Sequence, residues 1–165
     1  MSESTIIYVY TLNGGKGKWS RYVFPFPIDD FVMLNDTLYM RSGDDVLRYD
    51  ASTALDFAGD ATRQQAFPGI VQYQWLDFGR PGVSKQVVGF DLVGSGNSTF
   101  ALGYDQSNQG TFTTDFAVPP DTVPGQIIPL PVMAPSMSVR VSYPGGQKWQ
   151  LQAVSLYLQD MRAGS

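Results

Sequence analysis

Val88-Gly89-Phe90-Asp91-Leu92-Val93-Gly94-Ser95-Gly96-Asn97-Ser98-Thr99-Phe100-Ala101-Leu102-Gly103-Tyr104 is the stretch on which the fold turns. Val88, Phe90 and Leu92 recur with a period of two, and Phe100, Leu102 and Tyr104 resume that period after Gly94-Ser95-Gly96-Asn97. Period two places alternate side chains on one face of a strand. Gly-Ser-Gly-Asn between two such runs is hairpin chemistry. The spacing predicts two antiparallel strands, each with one buried and one solvated face.

Toward the carboxy terminus the pattern repeats. A polar loop over 105–110 leads to Phe112, Thr114 and Phe116, which alternate. Met137, Val139, Val141 and Tyr143 form another one-sided strand that turns at Pro144-Gly145-Gly146. Trp149, Leu151 and Ala153 then slip phase to Val154, Leu156 and Leu158, as a β-bulge requires. Between these runs lie Pro119, Pro120, Pro124, Pro129, Pro131 and Pro135. Proline cannot donate to a central ladder, so this segment is expected to be a long crossover or a sheet edge. Residues 67–165 are predicted to form a β-sandwich or jelly-roll-like domain.

Toward the amino terminus, Ile6 to Leu12, Trp19 to Phe24, Phe31 to Leu34, Thr37 to Arg41 and Val46 to Tyr49 are short β-rich runs. Asn13-Gly14-Gly15, Pro25-Phe26-Pro27, Asn35-Asp36 and Ser42-Gly43-Asp44-Asp45 separate them. Residues 1–50 therefore read as an antiparallel meander. Ile7-Tyr8-Val9-Tyr10-Thr11 is echoed 39 residues later by Val46-Leu47-Arg48-Tyr49-Asp50. That offset lies close to the ~40–45-residue period of a propeller blade. Residues 51–66 lack period two and are expected to be a linker or a short helix.

Composition agrees. Among 165 residues, 17 glycines and 11 prolines interrupt long helices, and 10 Phe, 9 Tyr and 3 Trp favour sheets. Fourteen aspartates stand against the single glutamate Glu3, which favours turns over helices. The absence of cysteine and histidine removes disulfides, thiolate nucleophiles, Ser-His-Asp triads and a histidine pH switch. A net charge of −4 argues against a phosphate-binding surface. Met-Ser-Glu-Ser at the start lacks a basic, hydrophobic leader, and no run of about 18 apolar residues exists. The expectation is a protein neither secreted through a signal peptide nor membrane-spanning, with no cofactor and no metal.

Several strings imitate reactive motifs. Asp77-Phe78-Gly79 spells a kinase magnesium triplet without its partner lysine, histidine or glycine-rich loop. Gly17-Lys18 is followed by Trp19 where a phosphate loop needs Ser or Thr. Asp105, Ser107 and Gln109 approach calcium-loop spacing but lack the closing glutamate. Asp29-Asp30 and Asp44-Asp45 are adjacent, so on a strand each pair points to opposite faces, unlike a glycosidase pair. Catalysis is therefore not expected, and an aspartate-based glycosidase is the last of three functional readings. Tyr73, Trp75, Phe78 and Trp149 are the candidates for a glycan-stacking platform, together with Asn97, Gln106 and Asn108 at the sandwich loops. Alternatively, Trp75 and Trp149 belong to the sandwich core.

Two stretches carry a resemblance. Lys18-Trp19-Ser20-Arg21-Tyr22-Val23-Phe24-Pro25, followed by the run from Phe31 to Val46 that contains Leu38-Tyr39-Met40-Arg41-Ser42-Gly43-Asp44, resembles tail nozzle and tail hub proteins of short-tailed bacteriophages. Trp75-Leu76-Asp77-Phe78-Gly79-Arg80-Pro81-Gly82-Val83-Ser84-Lys85 is similar to the segment leading into their β-sandwich. About half of the chain is covered, and the motifs are structural. The resemblance implies a structural protein of the virion tail, made in the host cytoplasm. Its partners would be other tail proteins and copies of itself in a ring around a DNA channel, with an acidic wall that repels phosphate. Full subunits of that family are larger and carry several blades. Under this reading strands 6–12 and 46–49 expose edges to a neighbour. Tyr8, Tyr10, Trp19, Tyr22, Leu38 and Tyr39 are the expected assembly contacts. A carbohydrate- or receptor-binding sandwich module of a virion is the second reading.

Overall fold

The computed structural model describes residues 4–13, 15–50, 52–120, 122 and 124–159. The described residues form strands, turns and loops with no helix, so the chain is all-β. It divides into two compact units at Ser52/Thr53.

In the first unit β1 (Thr5–Asn13) and β2 (Lys16–Phe24) make a two-stranded ribbon, in register from Thr5 opposite Phe24 to Asn13 opposite Lys16. Gly15 takes a φ of 77° in the connecting turn, while Gly14 lies outside the described residues. β3 (Asp30–Leu34), β4 (Thr37–Ser42) and β5 (Asp45–Arg48) form a separate sheet in that order. Asn35 and Asp36 both have positive φ, 49° and 58°, which is the type I′ geometry that matches strand twist. Asp29 anchors the next turn, accepting the Gly43 amide at 2.8 Å and pairing with Arg41 at 3.5 Å. The expected single ladder is thus divided into two strands plus three, and no four-stranded blade forms. Pro25 and Pro27 supply the reason: neither has an amide proton, so the chain leaves the ribbon after Phe24. It is held instead by Ile28 N donating to Thr5 Oγ1 at 2.8 Å.

The second unit begins with β6 (Leu55–Asp56) and β7 (Gln65–Ala66), a small hairpin where a linker or helix was expected. Asp60 shapes its loop, accepting Thr62 N at 2.9 Å, Thr62 Oγ1 at 2.7 Å and Arg63 Nε at 2.7 Å. These local bonds compete with helix formation, which is why the polar stretch closes a hairpin. They also hold the Asp60 carboxyl well below the usual carboxylate range, Thr62 first and Arg63 second. Burial alone pushes Asp56 up. A depressed Asp60 contributes stability at pH above its unfolded value of ~3.9 and loses it as pH falls through the folded value. Asp56 has the opposite sign: its contribution is present at low pH and is lost as pH rises through its raised value. Carboxyl-carbon NMR titration should therefore place the Asp56 midpoint above, and the Asp60 midpoint below, that of a free aspartate. The reverse order would contradict these hydrogen bonds.

The sandwich follows: β8 (Gly69–Gln72), β9 (Lys85–Ser95), β10 (Ser98–Gly103), β11 (Phe116–Val118), β12 (Ile128–Ala134), β13 (Ser138–Tyr143) and β14 (Gln150–Gln159). One sheet is ordered β11-β10-β13-β8, the other β12-β9-β14. β9 and β10, expected as a hairpin, do not pair; they lie in opposite sheets, and residues 94–97 arch between them. Both strands are apolar toward the core, so facing each other buries more than lying side by side. Phe90 and Phe100, each fully buried, stack at 3.7 Å between centroids with planes 8° apart. Phe116 meets Phe90 edge-on at 6.1 Å.

The alternation of β9 also breaks where the sequence shows it unbroken. Val87, Phe90 and Leu92 face the core, and Val88 is exposed. Gly89 lies opposite Tyr157 and Val87 opposite Leu158, so Val88 is an extra residue against β14. Across β12 it faces a second irregularity between Pro129 and Val132. Pro129 and Pro131 thus sit on an edge strand at a bulge, where a missing donor costs least. The register of β14 slips between Leu151 and Ala153, one step before the expected change at Ala153/Val154, so Ala153 is exposed; a second irregularity at Tyr157/Leu158 leaves Leu158 exposed as well. Met137, Val139, Val141 and Tyr143 are all buried, whereas Tyr104 lies beyond the end of β10 and is exposed.

Candidate functional site

The amino-terminal ribbon has an exposed apolar face. Strand alternation and the register place Ile6, Tyr8, Tyr10, Leu12, Trp19 and Val23 on one side, with Arg21 opposite Tyr8. All six are exposed, Trp19 to 69%. Tyr10 and Trp19 are directly opposed, with ring centroids 4.8 Å apart. Tyr10 also lies over Gly17, where an added Cβ would fall inside its ring, so the glycine makes room for the aromatic pair. Gly17-Lys18 therefore belongs to a strand interior and not to a phosphate loop.

Of the six expected contacts, the ribbon brings Tyr8, Tyr10 and Trp19 together. Tyr22 pairs with Ile7 and so points to the opposite face, where it raises the Tyr49 hydroxyl's pKa together with the larger effect of burial. Leu38 and Tyr39 are half-buried and, as successive strand residues, face opposite ways.

Sequence reasoning passed over β3 as a contact. Phe31, Val32, Met33 and Leu34 are each 59–65% exposed, on both faces of an edge strand. Four consecutive apolar residues ordinarily mark a strand covered on both sides. Here neither side is covered. Met40 is the sole buried residue among those described in this unit. Fully burying one such side chain contributes roughly 1.5–3 kcal/mol, so the first unit leaves most of its potential stabilisation unused.

In the second unit the expected glycan platform is dispersed. Trp149 is half-buried, stacks on Tyr143 at 5.5 Å and packs on the core. Trp75 is half-buried and lies with Phe112 over Gly103. Arg140 sits 4.0 Å above the Phe112 ring and pairs with Asp115 at 3.5 Å. Tyr73 and Phe78 remain exposed beside the opposite end of β13 from Tyr143. Six residues of β13 separate the two ends, about 20 Å at the rise of a strand. The two tryptophans thus serve packing in different places.

Several aspartates are engaged in turns, and one holds a distant loop. Asp105 accepts Ser107 N, Ser107 Oγ and Asn108 N at 3.0, 2.6 and 3.3 Å, filling the supposed calcium loop with its own turn. The Asp77 carboxylate accepts Gly79 N at 2.9 Å within a tight turn in which Phe78 and Gly79 have positive φ. Asp50 is held by Ser52, and buried Asp91 accepts Gly125 N at 2.7 Å. No group of three or more potential metal ligands occurs among the described residues. No helix among them is long and apolar enough to cross a membrane. Comparison with protein-family models, curated proteins and solved structures finds no match to the chain.

Proposed function

We propose that the chain is a structural subunit of a bacteriophage tail, whose amino-terminal unit makes the protein–protein contacts that build a ring with copies of itself and with other tail proteins. The observation that carries this reading is the uncovered apolar ribbon face centred on Tyr8, Tyr10 and Trp19. Contiguous exposed patches of this kind mark interaction surfaces, and tyrosine and tryptophan are the residues that dominate interface energetics. The resemblance of residues 18–46 to tail nozzle and hub proteins supplies the context, and the acidic balance suits a wall along which DNA must slide. A glycan-binding reading draws less support, because Trp75 and Trp149 pack far apart instead of forming a platform.

In virions purified from a lysate of the phage carrying this gene, an antibody against the chain should label the tail. Labelling confined to the capsid, or none, would contradict the assignment. Trp19→Ser combined with Tyr8→Ser should weaken self-association by about a thousandfold, since such anchors contribute ~2 kcal/mol or more each. The circular dichroism of the sandwich should not change. Sedimentation equilibrium reads the first effect.

A further inference from the structure

We infer that two copies of this chain join along β1, antiparallel and about a twofold axis through Val9, so that two ribbons become one four-stranded sheet ordered β2-β1-β1-β2. This rests on the reading of the first unit as the assembly unit and names the strand and the partner.

The ribbon needs another strand. A two-stranded hairpin is at best marginal in water, and three or more strands with an apolar face are required for independent stability. Among the described residues each ribbon strand pairs only with the other, which leaves both outer edges open. The two edges differ in charge. β2 carries Lys18 and Arg21, and charged residues of this kind protect an edge against pairing. β1 contains no charged residue, no proline and no bulge over its nine residues. An open edge of that length, some 30 Å, is a template for a further strand.

The sequence of β1 also says which strand fits. Thr-Ile-Ile-Tyr-Val-Tyr-Thr-Leu-Asn is nearly symmetric about Val9. Antiparallel pairing about that residue sets Tyr8 of one copy against Tyr10 of the other, Ile6 against Leu12, and Thr5 against Asn13. On the aromatic face every apolar position meets an apolar one; on the other face Val9 meets its own copy and Ile7 meets Thr11. A twofold contact uses one patch twice, so both open β1 edges close in a single step. The exposed apolar faces of the two ribbons then become one continuous surface. A second isologous contact, for which β3 is the remaining open apolar strand, would close such dimers into a ring.

The absence of cysteine gives a clean test. In the full chain Val9→Cys introduces the sole thiol, and directly opposed antiparallel residues lie within disulfide reach. Mild oxidation should convert it to a covalent dimer. Ser20→Cys, directly opposite Val9 on β2, should remain uncrosslinked. Val9→Lys and Val9→Asp should each lower the self-association constant at least about tenfold, and an equimolar mixture should restore it, because the twofold sets opposite charges face to face. If the chain associates but Ser20→Cys crosslinks instead, or the mixture is no better than either variant, the β1 seam is wrong while the assembly reading stands. A chain that stays monomeric at all concentrations overturns both.

Discussion

Replacing Phe90 with alanine is expected to destabilise the sandwich unit by about 3–5 kcal/mol, the range for deleting a large buried aromatic. The ring is fully buried, stacks on Phe100 at 3.7 Å and meets Phe116 at 6.1 Å, so its removal breaks contacts to β10 and β11 of the opposite sheet and leaves a cavity between the sheets. Because β9 is the central strand of its sheet, neither neighbour can collapse into the gap without disturbing its own ladder. Urea unfolding followed through the half-buried Trp75 and Trp149 should show a markedly lower midpoint with an unchanged slope. Val88→Ala, two positions earlier, should cost less than about 1 kcal/mol, because Val88 is the exposed bulge residue. Comparable losses at both positions would mean that the alternation of β9 is unbroken.

The second large effect is expected at Lys85. Its side chain is buried at the start of β9, and Nζ donates to three main-chain carbonyls, Arg80 at 2.6 Å, Val83 at 2.8 Å and Pro135 at 2.8 Å. An ammonium has three protons, and each finds an acceptor, so one residue ties the loop before β9 to the turn before β13. Lys85→Met retains the apolar stem and leaves the three carbonyls without that donor. A hydrogen bond from a charged donor is worth about 1.5–3 kcal/mol, and its loss is partly offset by no longer burying a charge and by water reaching carbonyls of exposed residues. A net loss of about 3 kcal/mol in unfolding free energy is expected. Lys85→Arg should not rescue it, because a planar guanidinium cannot direct three donors to one converging set of carbonyls. Stability within about 0.5 kcal/mol of the parent in the Met variant would show that the lysine is incidental to the fold.

How much of this was legible beforehand depends on whether the signal is local. β13 was clear because Met137, Val139, Val141 and Tyr143 alternate without interruption and all point inward. The slip in β14 was legible to within one residue because a bulge changes the phase of the side chains themselves, whereas the second irregularity at Tyr157/Leu158 leaves no such mark in the sequence. Val88 was not, since its bulge keeps an apolar residue at both candidate positions and only the cross-strand register separates Val87 from Val88. Gly94-Ser95-Gly96-Asn97 reads as a turn in either case; Gly96 takes a φ of 83° in an arch as readily as in a hairpin. Whether the returning strand joins the same sheet is decided by β12, β13 and β14, many residues away. Likewise Asp60 makes a loop that no periodicity announces.

The candidate site was legible in part for the same reason. Tyr8, Tyr10 and Trp19 stand out as aromatic residues on strands, and the register brings them to one face. Tyr22, Leu38 and Tyr39 looked equivalent in sequence, but strand parity turns Tyr22 to the other face and half-buries the other two. Phe31 to Leu34 read as one more β-rich run of the meander, because sequence alone does not say that β3 lies at an edge.

The assembly reading is tested most directly by sedimentation velocity of the unmodified chain across a wide concentration range. The expected result is a boundary that moves from the 18.1 kDa monomer to discrete multiples of it as concentration rises. A single 18.1 kDa species throughout, with the ribbon aromatics still open to solvent, would contradict it.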